Sequence, residues 1–384
     1  MSLLRTVRNL AAGADALSDR ARARLGRLRQ NQRPLMVEPY AGYGSAAGMT
    51  FGGRVLVDEG FVQPDASHGR WRNLVELAKR LESDEVPGAR VRIDFQGQST
   101  EVVADDEGRF RVDLVPAQPQ LLQAVNLVQL ELIDPVPAAG RAAPRADAQV
   151  MVPLPSARFG VISDIDDTVL QSNVTRRWTM LKTLAINNAH SRKPFAGVAA
   201  LYRALQAGAS GAEGNPMFYV SSSPWNLYAM LREFLHVQQL PAGPLLLKDF
   251  GEHTLFSMNE HGEHKLARIE EVFAAYPALP FILIGDSGEQ DPEIYAEVVR
   301  HHPQRVKAIY IRSVDTSAAR LAAVDKLIVS VRASGAQLML VPDSEFAAVH
   351  AAGEGWINPD AVAAVRADKR VDQIASDVPA GELP

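Results

Sequence analysis

The sequence predicts an α/β chain in which an α/β domain built on a parallel sheet follows an antiparallel β-sandwich and an N-terminal helix. Three observations predict it. Three apolar runs, Phe159–Ile162, Met217–Val220 and Phe281–Ile284, end abruptly in carboxylates or hydroxyls, as buried parallel strands do when their carboxyl ends border a ligand. Upstream, short β-type runs recur between turn signals. At the start, apolar residues recur at nearly heptad spacing among arginines. The boundaries drawn are a basic amphipathic helix over 1–32, the sandwich over 33–155, the α/β domain over 156–368 and a flexible tail over 369–384.

The helix carries Leu3, Val7, Leu10, Ala14, Leu17, Ala21 and Leu28 on one side, with Arg5, Arg8, Arg20, Arg22, Arg24, Arg27 and Arg29 in the gaps. Such a face can lie in an anionic membrane interface, dock on its own protein or pair with another chain. A run of about eighteen apolar residues, the length a spanning helix needs, does not occur. Arg5 and Arg8 interrupt any secretory apolar core. A cytoplasmic protein, peripheral to a membrane at most, is the expectation. Net charge of −5 gives no sign of a nucleic-acid binder. The absence of Cys excludes disulfides, thiolate nucleophiles and Cys-based zinc sites.

The sandwich strands are read at Arg54–Val57, Arg90–Phe95, Glu101–Ala104, Arg109–Leu114, Asn126–Ile133 and Gln149–Leu154, with turns such as Asp105-Asp106-Glu107-Gly108 between them. Trp71, Leu74, Val75, Ala78 and Leu81 share one helical face. The stretch Tyr40-Ala41-Gly42-Tyr43-Gly44 reads as a turn whose tyrosines pack in a core or cover a neighbouring surface. No acid, His or nucleophile constellation occurs in this part. The Pro- and Ala-rich segment Pro135–Pro144 reads as a loop.

The α/β domain opens with FGVISDIDDTVL, Phe159 to Leu170. An apolar strand that runs into Asp164, Asp166, Asp167 and Thr168 crowds like charges, which are relieved by protonation or by sharing a cation. A hard ion with oxygen ligands suits them. Taken alone, the same residues are also a solvated acidic turn that opens a helix. FILIGDSGEQD, Phe281 to Asp291, repeats the pattern with Asp286 and Asp291. The strand Met217–Val220 ends in Ser221-Ser222-Ser223-Pro224-Trp225, whose hydroxyls and backbone N–H groups suit an anion. Lys265, just before the helical pattern Leu266, Ile269, Val272 and Phe273, is the fixed cation placed to meet them, with Lys248 as the second candidate. Glu252 to His264 alternates Glu and His without helical metal spacing and reads as a solvated loop. Arg176, Arg177, Lys182, Arg192 and Lys193 make the segment around Trp178 basic, a composition that suits an anionic substrate or a solvated face. Further elements are read as helices at Ala199–Gln206, Glu293–His301 and Ala318–Ala333 and strands at Leu245–Asp249, Arg305–Arg312 and Gln337–Val341, the last of the sheet.

The order DxDxT, strand-end Ser, Lys, then GDxxxxD resembles the four motifs of the haloacid dehalogenase superfamily of phosphotransferases. SSSPWNLY and GDSGEQDPEIY further resemble its phosphatidate phosphatase branch, typified by the fungal actin-patch protein, over roughly Ser156 to Val314. The resemblance implies a Rossmann-like sheet with a small flap in place of a full cap. It implies an Mg²⁺-dependent phosphomonoesterase with Asp164 as the nucleophile that forms an aspartyl-phosphate and Asp166 as the general acid and base. Ser221, with Thr168, Ser222 and Ser223, would hold the phosphoryl oxygens, and Lys265 would offset developing charge. Asp164, Asp166, Asp286 and Asp291 would bind or orient the metal. Phosphatidate or a related lipid phosphate is the implied substrate. Nucleic-acid ends, phosphoproteins, or a non-catalytic module that binds anionic lipid or protein are the alternatives. Oligomeric state stays open.

Overall fold

The computed structural model describes residues 33–58, 84–137, 140–165, 196–248, 258–314 and 317–377. The basic N-terminal helix, the helical face Trp71–Leu81 and the flap residues Arg176–Lys193 lie outside these residues, as do Asp166, Asp167 and Thr168. Among the described residues no helix is long and apolar enough to cross a membrane.

The first part holds β1 (Leu35–Ser45), β2 (Gly48–Val57), β3 (Arg90–Phe95), β4 (Gln98–Val103), β5 (Arg109–Leu114), β6 (Val125–Asp134) and β7 (Arg145–Met151). The sequence predicts an antiparallel sandwich; the strands instead form one seven-stranded sheet in the order β4-β3-β6-β7-β1-β2-β5. All its pairings are antiparallel except β1–β7, which meet in parallel at Gly42–Val150 and Tyr43–Met151. The sheet curls on itself, burying Val37, Phe51, Val55, Val91, Ile93, Phe110, Val128, Leu130 and Val150 in a common core.

β1 is the strand that reads in the sequence as a turn. Its pairing with β2 shifts register between Tyr40 and Tyr43, a bulge that bends the strand. Gly42 permits it, since a Cβ there would lie 2.3 Å from the Thr50 carbonyl oxygen and 2.4 Å from the Phe51 Cβ. The bend delivers both tyrosines out of the curled sheet and into the second part of the molecule.

That second part is a six-stranded parallel sheet of β8 (Gly160–Asp164), β9 (Met217–Pro224), β10 (Leu245–Lys248), β11 (Phe281–Asp286), β12 (Val306–Arg312) and β13 (Gln337–Val341), ordered β10-β9-β8-β11-β12-β13. This is the doubly wound order, and it reverses direction between β8 and β11. Helices α1 (Val198–Ala207), α2 (Tyr228–Val237), α3 (Met258–Ala275), α4 (Asp291–His301) and α5 (Ala318–Ala333) make the crossovers, and α6 (Ser344–Gly353) and α7 (Ala361–Asp377) follow. Because side chains alternate across a strand, Val161 packs with Leu201, Leu205, Leu231 and Ala348 on one face, while Ile162 packs with Ile269, Phe273, Tyr295 and Val298 on the other.

Two expectations are corrected by the polar stretches. From Met258 onward the Glu- and His-rich segment is the first part of α3 and not a loop; residues 252–257 are outside those described. The chain past Asp368 does not fray over 369–377: α7 continues to Asp377, Lys369 pairs with Asp343 at 2.6 Å, and Asp372 accepts the Gly197 N–H at 2.8 Å.

Candidate active site

The reversal of strand order places the ends of β8, β9 and β11 side by side. Val220 lies opposite Asp164 and Ile284 opposite Ser163, so Ser221 and Asp286 each lie past the last position paired with β8, one on either side of Asp164. Asp164, Ser221, Asp286 and Asp291 are fully buried and Lys265 nearly so. Charges buried this deeply persist only when they are paired or hydrogen-bonded.

The pairing centres on Lys265. Its Nζ lies 2.7 Å from Asp164 Oδ1, 2.7 Å from Glu289 Oε2 and 3.0 Å from Asp291 Oδ1. Lys265 is presented by α3, which comes close to the β11–α4 loop at Gly262, where a Cβ would lie 3.0 Å from Gln290 Oε1. The second predicted cation, Lys248, stands half-buried at the end of β10.

The GDSGEQD stretch builds the other side. Asp286 Oδ1 accepts the N–H groups of Gly288 at 2.7 Å and Glu289 at 3.2 Å, an Asx-type turn that curls the loop. Asp291 opens α4, and its Oδ2 accepts the Asp286 N–H at 3.1 Å. Gly285 is the glycine that allows this, since a Cβ there would sit 2.3 Å from Asp291 Oδ2. Burial pushes the Asp291 carboxyl up from its ordinary value, and Glu289 adds to that, while Lys265 opposes both.

At the end of β9 the three serines separate by burial. Ser221 is fully buried and its Oγ accepts the Ser223 N–H at 2.9 Å, whereas Ser222 and Ser223 are half-exposed. Ser163, just before Asp164, bonds Tyr202 of α1 through their hydroxyls at 2.6 Å and also donates to the Asp164 carbonyl at 2.8 Å. Burial keeps the Tyr202 hydroxyl protonated well beyond neutral pH. Asp164 is thus held from both its backbone and its carboxylate.

Asp164, Glu289 and Asp291 bring one carboxylate oxygen each to within 4.8 Å of one another. Three carboxylates against one ammonium leave a formal charge of −2, and the donors are all oxygen, a set that fits a hard divalent cation. Asp286 is outside this set, with one oxygen engaged in the loop turn. Glu289 is the member that sequence reasoning did not single out. Its signal was its place inside GDSGEQD, but only the Asx turn at Asp286 folds it inward.

The fold and site define a doubly wound α/β domain with an acid–lysine centre at the topological switch point. Residues 159–313 match the family model of the phosphatidate phosphatase APP1 catalytic domain. Over 161 residues, 41% of this chain, the sequence is 34% identical to phosphatidate phosphatase APP1 of Saccharomyces cerevisiae, covering 26% of that protein. It is also 28% identical over 157 residues to an uncharacterized protein of Schizosaccharomyces pombe, covering 25% of it. The segment is similar to the catalytic domain of these proteins, and the chain spans about a quarter of the length of these relatives. A carbohydrate acetylesterase from Xanthomonas citri aligns with 78% of this chain and 74% of its own at 13% identity and a TM-score of 0.26, too remote to bear on the fold.

Proposed function

We propose that the protein is a cation-dependent phosphomonoesterase that removes phosphate from phosphatidate or a related lipid phosphate. The observation that carries this reading is the buried Asp164–Lys265 ion pair at the switch point, inside the segment similar to the APP1 catalytic domain. The lipid substrate follows from that similarity alone.

Asp164 is the nucleophile. Its carboxylate oxygen forms a bond to phosphorus as the ester P–O bond breaks, leaving an aspartyl-phosphate that water then hydrolyses. Lys265 pairs with Asp164 and offsets the charge that accumulates when a phosphate dianion approaches carboxylates. Ser221 and the N–H groups beyond it receive phosphoryl oxygens. Asp166, two residues past the nucleophile, protonates the departing alkoxide and later takes the proton of the attacking water. Asp164, Glu289 and Asp291 would hold Mg²⁺, with Asp286 shaping their loop; such an ion supplies charge neutralisation at the transferred phosphoryl group.

The test is phosphate release from p-nitrophenyl phosphate and from dispersed phosphatidate, with Mg²⁺ or chelator, for the wild type and Asp164→Asn. Metal-dependent turnover by the wild type, lost at least a thousandfold in a folded Asp164→Asn protein, is expected. Equal activity of the two proteins would exclude Asp164 as nucleophile, and turnover of p-nitrophenyl phosphate alone would exclude the lipid assignment.

A further inference from the structure

Glu289 reaches the cluster from residues 287–290, a stretch without regular structure. What holds that loop comes from the next crossover. On α5, the guanidinium of Arg320 donates from Nε to the Ser287 carbonyl at 2.8 Å and from Nη2 to the Glu289 carbonyl. The same group pairs with the Glu293 carboxylate on α4, Nη2 lying 3.0 Å from Oε2. Ser317 caps α5 by accepting the Arg320 N–H, which fixes where the side chain starts. The connection from β12 adds two bonds, Ser287 N–H to the Arg312 carbonyl and Val314 N–H to Ser287 Oγ, each 2.9 Å. The loop is thus shaped from inside by Asp286 and clamped from outside by Arg320.

We propose that Arg320 is a positioning residue for cation binding. By fixing the carbonyls of Ser287 and Glu289 it sets the Glu289 side chain beside Asp164 and Asp291. The inference deepens the reading given under Proposed function and rests on it. One planar guanidinium can meet two carbonyls and a carboxylate at once, whereas a lysine ammonium is a single point of charge that cannot span them. Groups that orient metal ligands from behind typically change metal affinity by about 10- to 100-fold when removed.

The experiment measures Mg²⁺ binding by isothermal titration calorimetry for the full chain as wild type, Arg320→Gln, Glu289→Gln and the double variant. Thermal midpoints in chelator report folding separately. Arg320→Gln is expected to weaken Mg²⁺ binding by about 10- to 100-fold, with a far smaller effect on the midpoint in chelator. The double variant is expected to bind as weakly as Glu289→Gln alone, because both substitutions remove the same ligand. Wild-type affinity in Arg320→Gln, or losses that multiply in the double variant, would overturn the inference while leaving the metal reading intact. A wild type that binds no Mg²⁺ would overturn both. If Arg320→Gln does not fold, Glu293→Gln decides, since it loosens the guanidinium without touching the loop: a several-fold loss supports the inference and no change overturns it.

Discussion

At the scale of single residues, the site is shaped as much by glycine as by charge. Gly285 lies between the strand-end apolar run and Asp286, and its missing Cβ is what lets the Asp291 carboxylate fold back on the backbone. Gly285→Ala must displace Asp291, and with it one of the oxygens on Lys265. The expected cost is about 1–3 kcal/mol of stability, as for other forced overpacking, together with loss of phosphate release. Urea unfolding followed on the same samples as the activity assay checks both. A variant as stable as the wild type would mean that Asp291 has room to move.

At the scale of elements, the C-terminal helix acts as a cap for an earlier one. Asp372 accepts the Gly197 N–H at 2.8 Å and Asp368 the Ala200 N–H at 3.1 Å, so α7 supplies the carboxylates that α1 does not carry in its own first turn. In turn, α7 is pinned to α6 by Lys369, which pairs with Asp343 at 2.6 Å and Glu345 at 3.3 Å. Burial pushes the Asp343 carboxyl up, but Lys369 and the Phe346 N–H outweigh it and hold it below the usual carboxylate range. A depressed carboxyl stabilises above its unfolded value of about 3.9 and loses that contribution as pH falls through the folded one. Stability is therefore expected to fall as pH drops below about 4, and Asp343→Ala is expected to flatten that part of the curve while costing about 1 kcal/mol at neutral pH for its lost cap. Thermal midpoints from pH 7 to pH 3 measure both. Elements with a clear apolar pattern were legible: the strands Arg90–Phe95, Arg109–Leu114 and Gln337–Val341 and the helix Ala318–Ala333 have the ends read from the sequence. Helix α7 was not legible, because its partners are charged and far away in sequence, and polar composition alone reads as solvent-exposed chain. β1 was misread for a related reason, since AGYG has turn composition while its bulge is imposed by pairing with two other strands. In the site, Asp164, Asp286, Asp291 and Lys265 announced themselves at strand ends and a helix start, whereas Glu289 and Arg320 depend on how a loop closes.

At the scale of the whole molecule, β1 joins the two sheets. Tyr40 stacks on Trp225 with ring centroids 4.5 Å apart and lies 4.4 Å from Tyr228, while Tyr43 meets Phe218 edge-on at 5.6 Å. The backbone joins as well: Ala41 N–H donates to the Tyr228 hydroxyl at 2.6 Å and Gly44 N–H to the Tyr276 hydroxyl at 3.1 Å. Burial pushes the Tyr43 and Tyr228 hydroxyls up to about 12, so both remain protonated at neutral pH. Tyr40→Ala is expected to cost about 3–5 kcal/mol, as for other buried aromatic truncations. It is also expected to loosen Trp225, four positions after Ser221, and so to lower phosphate release more than its stability loss explains. In the wild type the two sheets should unfold in a single urea transition seen identically by fluorescence and circular dichroism; two separated transitions would mean that the tyrosines do not couple them. The same ties set an order in time during synthesis. Ala41 cannot meet Tyr228 until a further 187 residues have been added, nor Gly197 meet Asp372 until a further 175 have. During synthesis the first sheet therefore emerges before its anchor and the first crossover helix before its cap, so both ties close only after long stretches of later chain have been added.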